Sequence, residues 1–186
     1  MAKSITVNGD RFVVLISERR IKARVKLLAR AISRDYRGKV PVFIGILNGS
    51  FIFFADLIRE VSVDSEIDFL KLSSYGDAKI SSGNVRLLKD LNCQVTGRDI
   101  IIVEDIVDSG LSIDYIRNLI LRQNPKSFRV ATLLYKKKSV KVDVQLDYVG
   151  FVIPPTFVIG YGLDYAQRER NLKSIFRLKE NRLKQA

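Results

Sequence analysis

The sequence predicts an α/β fold: a mainly parallel central sheet with helices on both faces. Two observations predict it. Short apolar runs alternate with stretches whose apolar residues recur at helical spacing. The runs are also nearly continuous in Val, Ile, Leu and Phe, as strands covered on both faces require.

The elements follow in order. "RFVVLIS", from Arg11, is a short strand. Ile21, Val25, Leu28, Ala29 and Ile32 then mark an amphipathic helix with basic residues on its other face. Gly38 ends that helix and Pro41 opens the next element, the buried strand "PVFIGIL". "NGS" is a turn, and "FIFFADLIREV" is a helix starting from it. "SEIDFLKLSS" is a strand. "SSYGDAKISSGN", from Ser73 to Asn84, is rich in Ser and Gly, and it predicts a long loop of the kind that serves as a lid. "VRLLKDL" resumes a strand, and "DIIIVEDI" is the strongest central-strand candidate. Ile113, Ile116, Leu119 and Ile120 mark a helix with Ser112 as its expected cap. "SFRVATLLY", "DYVGFVI" and "FVIGYGL" complete the strands.

Composition bounds the function. A chain of 186 residues that is 47% hydrophobic suits one domain with a substantial core. No apolar run approaches a membrane span, and "MAKSITVNGD" lacks the apolar core of a signal peptide. The lone Cys93 excludes an internal disulfide and fits a reducing compartment, so a cytoplasmic location is expected. Without histidine, His-based zinc sites are excluded, and a general base must be Asp, Glu, Lys, Tyr or Cys93. The 32 Lys and Arg outnumber the 20 Asp and Glu, which favours anionic partners, but their scatter argues against a dedicated nucleic-acid stripe.

Negative charge gathers at one place. In "IIIVEDIVDSGLS", a run of apolar residues meets Glu104 and Asp105, then Asp108, Ser109, Gly110, Leu111 and Ser112. In an open α/β sheet, ligands bind at the carboxyl ends of strands, where these acids fall. The loop leads into a helix N-terminus, whose N–H groups, with a glycine and two hydroxyls, can cradle an anion. A phosphorylated sugar satisfies both parts, with its phosphate in the cradle and its hydroxyls or Mg²⁺ at the acids. A solvated loop whose acids cap the helix is the simpler reading of the spacing alone. Neither G-x-x-x-x-G-K-[ST] nor G-x-G-x-x-G is present, which argues against those nucleotide folds.

The same stretch resembles the phosphoribosyl-pyrophosphate signature of type I phosphoribosyltransferases. With "GILNGSFIF", "SSYG", "LLYKK" and "FVIGYGLDYAQRERNL" in that order, the chain resembles the hypoxanthine-guanine branch from about Ile44 to Leu172. The resemblance implies transfer of phosphoribosyl from phosphoribosyl pyrophosphate to N9 of a 6-oxopurine. It implies one domain over 1–186, with a hood formed by roughly 1–15 and 155–186. A homodimer or homotetramer is the family habit.

It also implies residue roles. Glu104 and Asp105 would bind the ribose hydroxyls and Mg²⁺, and Asp164 would be a second metal acid on the pyrophosphate side. Asp108, Ser109, Gly110, Leu111 and Ser112 would surround the 5′-phosphate, with Asp108 also the base at purine N7. Leu47, Asn48 and Gly49 would form the pyrophosphate loop, with a cis peptide between Leu47 and Asn48, and Arg170 would hold the same anion. Relatives often carry a basic residue at the position of Asn48, so here the backbone would carry that role. Lys136 would donate to the purine 6-oxygen, Phe157 would stack on the ring, and Val158 would present a backbone group to its edge. Ser74 and Tyr75 would belong to the closing loop. Two alternatives are a regulator of the same fold that binds nucleic acid, and a transferase for another nucleobase.

Overall fold

A computed structural model of the chain describes residues 4–74 and 85–179. Six strands form the central sheet: β3 (Val42–Leu47), β4 (Glu66–Ser74), β5 (Val85–Lys89), β6 (Asp99–Val107), β7 (Ser127–Tyr135) and β8 (Tyr148–Val152). Their order is β5-β4-β3-β6-β7-β8, parallel except for β5, which runs antiparallel at the edge. The predicted, mainly parallel sheet is therefore present, with β6 near its centre.

Strand periodicity divides the core. On one face, Ile101 and Val103 of β6 pack with Phe43 of β3, under helices α1 (Glu18–Asp35) and α2 (Phe51–Glu60). On the other, Ile100 and Ile102 pack with Ile113, Ile116 and Ile120 of α3 (Leu111–Leu121). The apolar run of β6 is continuous because both of its faces are covered.

A second sheet is antiparallel, in the order β1-β2-β10-β9: β1 (Ser4–Val7), β2 (Asp10–Ile16), β9 (Val158–Ile159) and β10 (Ile175–Leu178). Ser174 fastens it to the main body, since its Oγ accepts the Glu18 backbone N–H at 3.1 Å, at the start of α1.

Three expectations need correction. "FVIGYGL" is not a full strand: only Val158 and Ile159 form one, and Gly160 bridges back to Leu163, because Gly160, Tyr161 and Gly162 take φ values of 93°, 54° and 100°, which strands do not accommodate. Ser112 does not cap α3. The cap is Gly110, at φ 84°, and Ser112 lies within the first turn. Strand β4 ends at Ser74, as "SEIDFLKLSS" predicts, so Ser73 and Ser74, which the expected loop also included, belong to the strand. Tyr75 and the rest of that loop, to Asn84, lie outside the described residues. Among the described residues, no helix is long and apolar enough to cross a membrane.

Candidate active site

The loop after β3 and the acids at the carboxyl end of β6 meet the hairpin that follows β9, and β7 brings Lys136 to Asp108 at the same end of the sheet. β6 delivers the acids. Successive strand side chains start towards opposite faces, but the carboxyls of Glu104 and Asp105 remain within hydrogen-bonding reach of each other. Glu104 lines a pocket of about 100 Å³ with Asp108, Ser109, Gly110 and Ser112. Asp105 turns towards the β3–α2 loop. A Cβ on Gly49 would collide with the Asp105 carboxylate, so only glycine lets that loop close on β6. The Leu47–Asn48 peptide in the same loop is cis.

Both acids are buried, at 8% and 6% exposure. Burial, followed by the charge of Asp105, raises the pKa of Glu104 well above the ordinary value. Burial also raises that of Asp105, although its bond from the Ile106 N–H and the charge of Arg170 pull the other way. Oε2 of Glu104 has no hydrogen-bond partner. An orphaned, buried carboxyl oxygen suits a hard cation, which would take the place of the proton that burial favours. Among the described residues no group of three or more acids and cysteines gathers.

The loop from Asp108 to Ser112 is built as a cradle. Gly110 sits in the left-handed region, where a side chain is strained, and packs against Val142. The Ser109 carbonyl accepts the Lys141 N–H at 2.9 Å, which braces the turn. The first N–H groups of α3 have no intrahelical acceptor; that of Leu111 donates to Ser109 Oγ at 3.4 Å, and Ser112 and Ile113 line the pocket.

β7 runs parallel to β6 with Tyr135 opposite Val107, and the Lys136 N–H donates to the Val107 carbonyl at 2.9 Å. This register brings Lys136 Nζ to 2.7 Å from Asp108 Oδ2. The lysine side chain is 11% exposed and the aspartate 51%, so the pair stands at the mouth of the site.

The hairpin after β9 supplies the opposite wall. Asp164 and Arg170 form an ion pair at 2.8 Å, and Arg170 also donates to the Gly162 carbonyl at 2.7 Å. Gly162 in turn abuts the Gly49 carbonyl, which leaves no room for a Cβ. Phe157 is an exposed aromatic set edge-on to Tyr165, with ring centroids 5.6 Å apart. Its carbonyl is taken by the Leu178 N–H, and Val158 beside it is buried and paired with Arg177 of β10. Ser74 ends β4 on the same edge of the sheet. The residue-level reading missed Asp56, Tyr161 and Gly162. Their one sequence signal was the two glycines flanking Tyr161, which break the strand pattern.

Paired acids and an anion cradle at the carboxyl edge of a parallel sheet, faced by an arginine-bearing hairpin, define an enzyme of phosphorylated-sugar chemistry. The phosphoribosyl transferase domain model matches residues 16–166, and the chain belongs to this family. Its relatives place it in the hypoxanthine-guanine branch. It is 47% identical over 166 residues to the hypoxanthine-guanine phosphoribosyltransferase of Bacillus subtilis, covering 89% of this chain and 92% of that one. It is 46% identical to the hypoxanthine phosphoribosyltransferase of Escherichia coli K12, over 87% and 92% of the two chains. The chain spans 27% of the length of a bifunctional TilS/HprT protein of Listeria monocytogenes, at 44% identity over 94% of its own. A crystal structure of a hypoxanthine-guanine phosphoribosyltransferase from Bacillus anthracis superposes with a TM-score of 0.85, at 44% identity, over 89% of this chain and 98% of that one.

Proposed function

We propose that the protein transfers the 5-phosphoribosyl group from phosphoribosyl pyrophosphate to N9 of hypoxanthine or guanine, giving IMP or GMP and pyrophosphate. The observation that carries this reading is the Lys136–Asp108 pair, held beside the anion cradle at the end of β6. A 6-oxopurine presents an acceptor at O6 and a proton at N7. Lysine donates to the first, and a carboxylate accepts the second. An adenine 6-amino group offers Lys136 no acceptor, so 6-oxopurines are preferred.

Chemistry at C1′ needs no covalent nucleophile. The bond from C1′ to the pyrophosphate oxygen breaks as the bond to N9 forms, and Asp108 removes the N7 proton. The cradle from Asp108 to Ser112 holds the 5′-phosphate with backbone N–H groups and hydroxyls. Gly49 and its neighbours bring backbone to the leaving pyrophosphate, and Arg170 offers it a planar, multidentate donor. Glu104 and Asp105 lie close to the ribose, where carboxylates stabilise developing positive charge.

Mg²⁺ would be held by Glu104 and Asp105, with Asp164 towards the pyrophosphate side, and when bound it would neutralise charge on the leaving group. Phe157 supplies an exposed ring face for the purine, with Val158 beside it. A homo-oligomer working in the cytoplasm completes the reading. The direct test is nucleotide formation from phosphoribosyl pyrophosphate and each purine; no IMP or GMP would refute it.

A further inference from the structure

We infer that Tyr161 and Asp56 are positioning residues: their hydrogen bond sets the spacing between the two halves of the pyrophosphate side of the site. The inference deepens the transferase reading above and rests on it.

The backbone of Tyr161 raises the question. Its φ of 54° lies in the left-handed region, between Gly160 at 93° and Gly162 at 100°. Glycine adopts such angles freely, whereas an aromatic residue must be held there. Two bonds hold it. The Tyr161 hydroxyl donates to Asp56 Oδ2 at 2.6 Å, and its N–H donates to the Leu172 carbonyl at 2.7 Å. The ring is buried, with 5% exposure.

Asp56 belongs to α2, the helix that grows out of the Leu47–Gly49 loop. The hairpin tip therefore meets this unit at two points. One is the Asp56–Tyr161 bond. The other is the collision-tight approach of Gly162 to the Gly49 carbonyl. Asp56 lies six residues past Ser50, about 9 Å along the helix axis, too far down to touch the anion itself. What it fixes is the neighbour of Tyr161: the Gly162 carbonyl accepts from Arg170, which pairs with Asp164. On the other side, Gly49 presses on Asp105. A shift of the tip would thus move Arg170 and Asp164 away from Gly49 and Asp105.

The purine side hangs on other supports. Lys136 is fixed by its bond to Val107, and Phe157 by its bond to Leu178. Loss of the Asp56–Tyr161 bond should therefore weaken one substrate and spare the other, an asymmetry that general loosening would not produce.

The test uses the full chain with Tyr161→Phe and, separately, Asp56→Ala. Tyr161→Phe removes one oxygen and leaves Asp56 its ion pair with Arg59. Steady-state kinetics should show KM for phosphoribosyl pyrophosphate and Ki for inorganic pyrophosphate rising about tenfold, the size expected from losing a hydrogen bond to a charged group. KM for hypoxanthine should stay within about twofold. Asp56→Ala gives the same pattern should Tyr161→Phe not fold. Unchanged KM for phosphoribosyl pyrophosphate, or equal rises for both substrates, overturns the inference. Calorimetric titration with phosphoribosyl pyrophosphate separates this from the functional reading. A parent without turnover refutes the transferase, while the ratio of parent to variant affinity still decides the positioning role.

Discussion

Lys136 Nζ lies 2.7 Å from Asp108 Oδ2, across 28 residues of chain. The contact follows from sheet register: β6 and β7 run parallel with Val107 beside Tyr135, so the first residues past each strand meet. On the proposed function, a purine entering here would take over the lysine's donor and receive the aspartate as an acceptor. The pair would thus hold the two proposed reading groups together before substrate arrives.

Asp108→Asn keeps the shape of the loop and removes the acceptor for the N7 proton. Turnover should fall about 10²–10⁴-fold, the usual worth of a general base, with phosphoribosyl pyrophosphate binding largely intact. Single-turnover kinetics measure the first, and calorimetry the second. Undiminished turnover removes Asp108 from the chemistry.

Lys136→Ala should raise KM for hypoxanthine and guanine about tenfold or more, since a charge-assisted bond to O6 is lost. Affinity for phosphoribosyl pyrophosphate should change little. Equal weakening of both substrates would show that the lysine serves the loop rather than the base.

Gly49→Ala places a methyl group against the Asp105 carboxylate. Overpacking of this kind costs about 1–3 kcal/mol, and here it would push the pyrophosphate loop off β6. The expected result is a lower Tm together with severe loss of activity. An active, equally stable Gly49→Ala protein would mean that the loop and β6 are less tightly apposed than described.

Chelation of divalent ions should abolish turnover, and added Mg²⁺ should restore it. The reason lies in Glu104, whose Oε2 is buried without a partner beside a second buried acid. Glu104→Gln should blunt the recovery by Mg²⁺. Full activity in excess chelator would contradict the metal assignment.

The Cys93 thiol is pushed up from about 9 to about 11, first by burial and then by the neighbouring Asp68 carboxylate. Unfolding releases it to ionise at its ordinary value. Its contribution to stability is therefore whole below pH 9 and is lost as pH rises to about 11. Alkylation of the native protein at pH 8 should accordingly be much slower than in denaturant. Equal rates would show an exposed thiol.

The central architecture was legible because parallel strands announce themselves. "DIIIVEDI" is buried on both faces, so its composition alone marks β6, and the acids after it mark the carboxyl edge. What stayed hidden was set by long-range geometry. β1 and β10 are four residues each, too short for a period to show. Ser112 was the natural cap by residue type, but the turn requires a left-handed φ at Gly110, and that requirement overrode side-chain preference. "FVIGYGL" carries strand-like residues, yet its tip folds back on Gly49. The partner of Tyr161, Asp56, lies 105 residues away, where no local pattern points.

The most direct test of the account is a spectrophotometric assay with phosphoribosyl pyrophosphate, Mg²⁺ and each of hypoxanthine, guanine, xanthine and adenine in turn. The account predicts IMP from hypoxanthine or GMP from guanine, with adenine used about 100-fold less well, the penalty of facing Lys136 with a donor. Adenine used as readily as hypoxanthine, or no nucleotide from any purine, would contradict it.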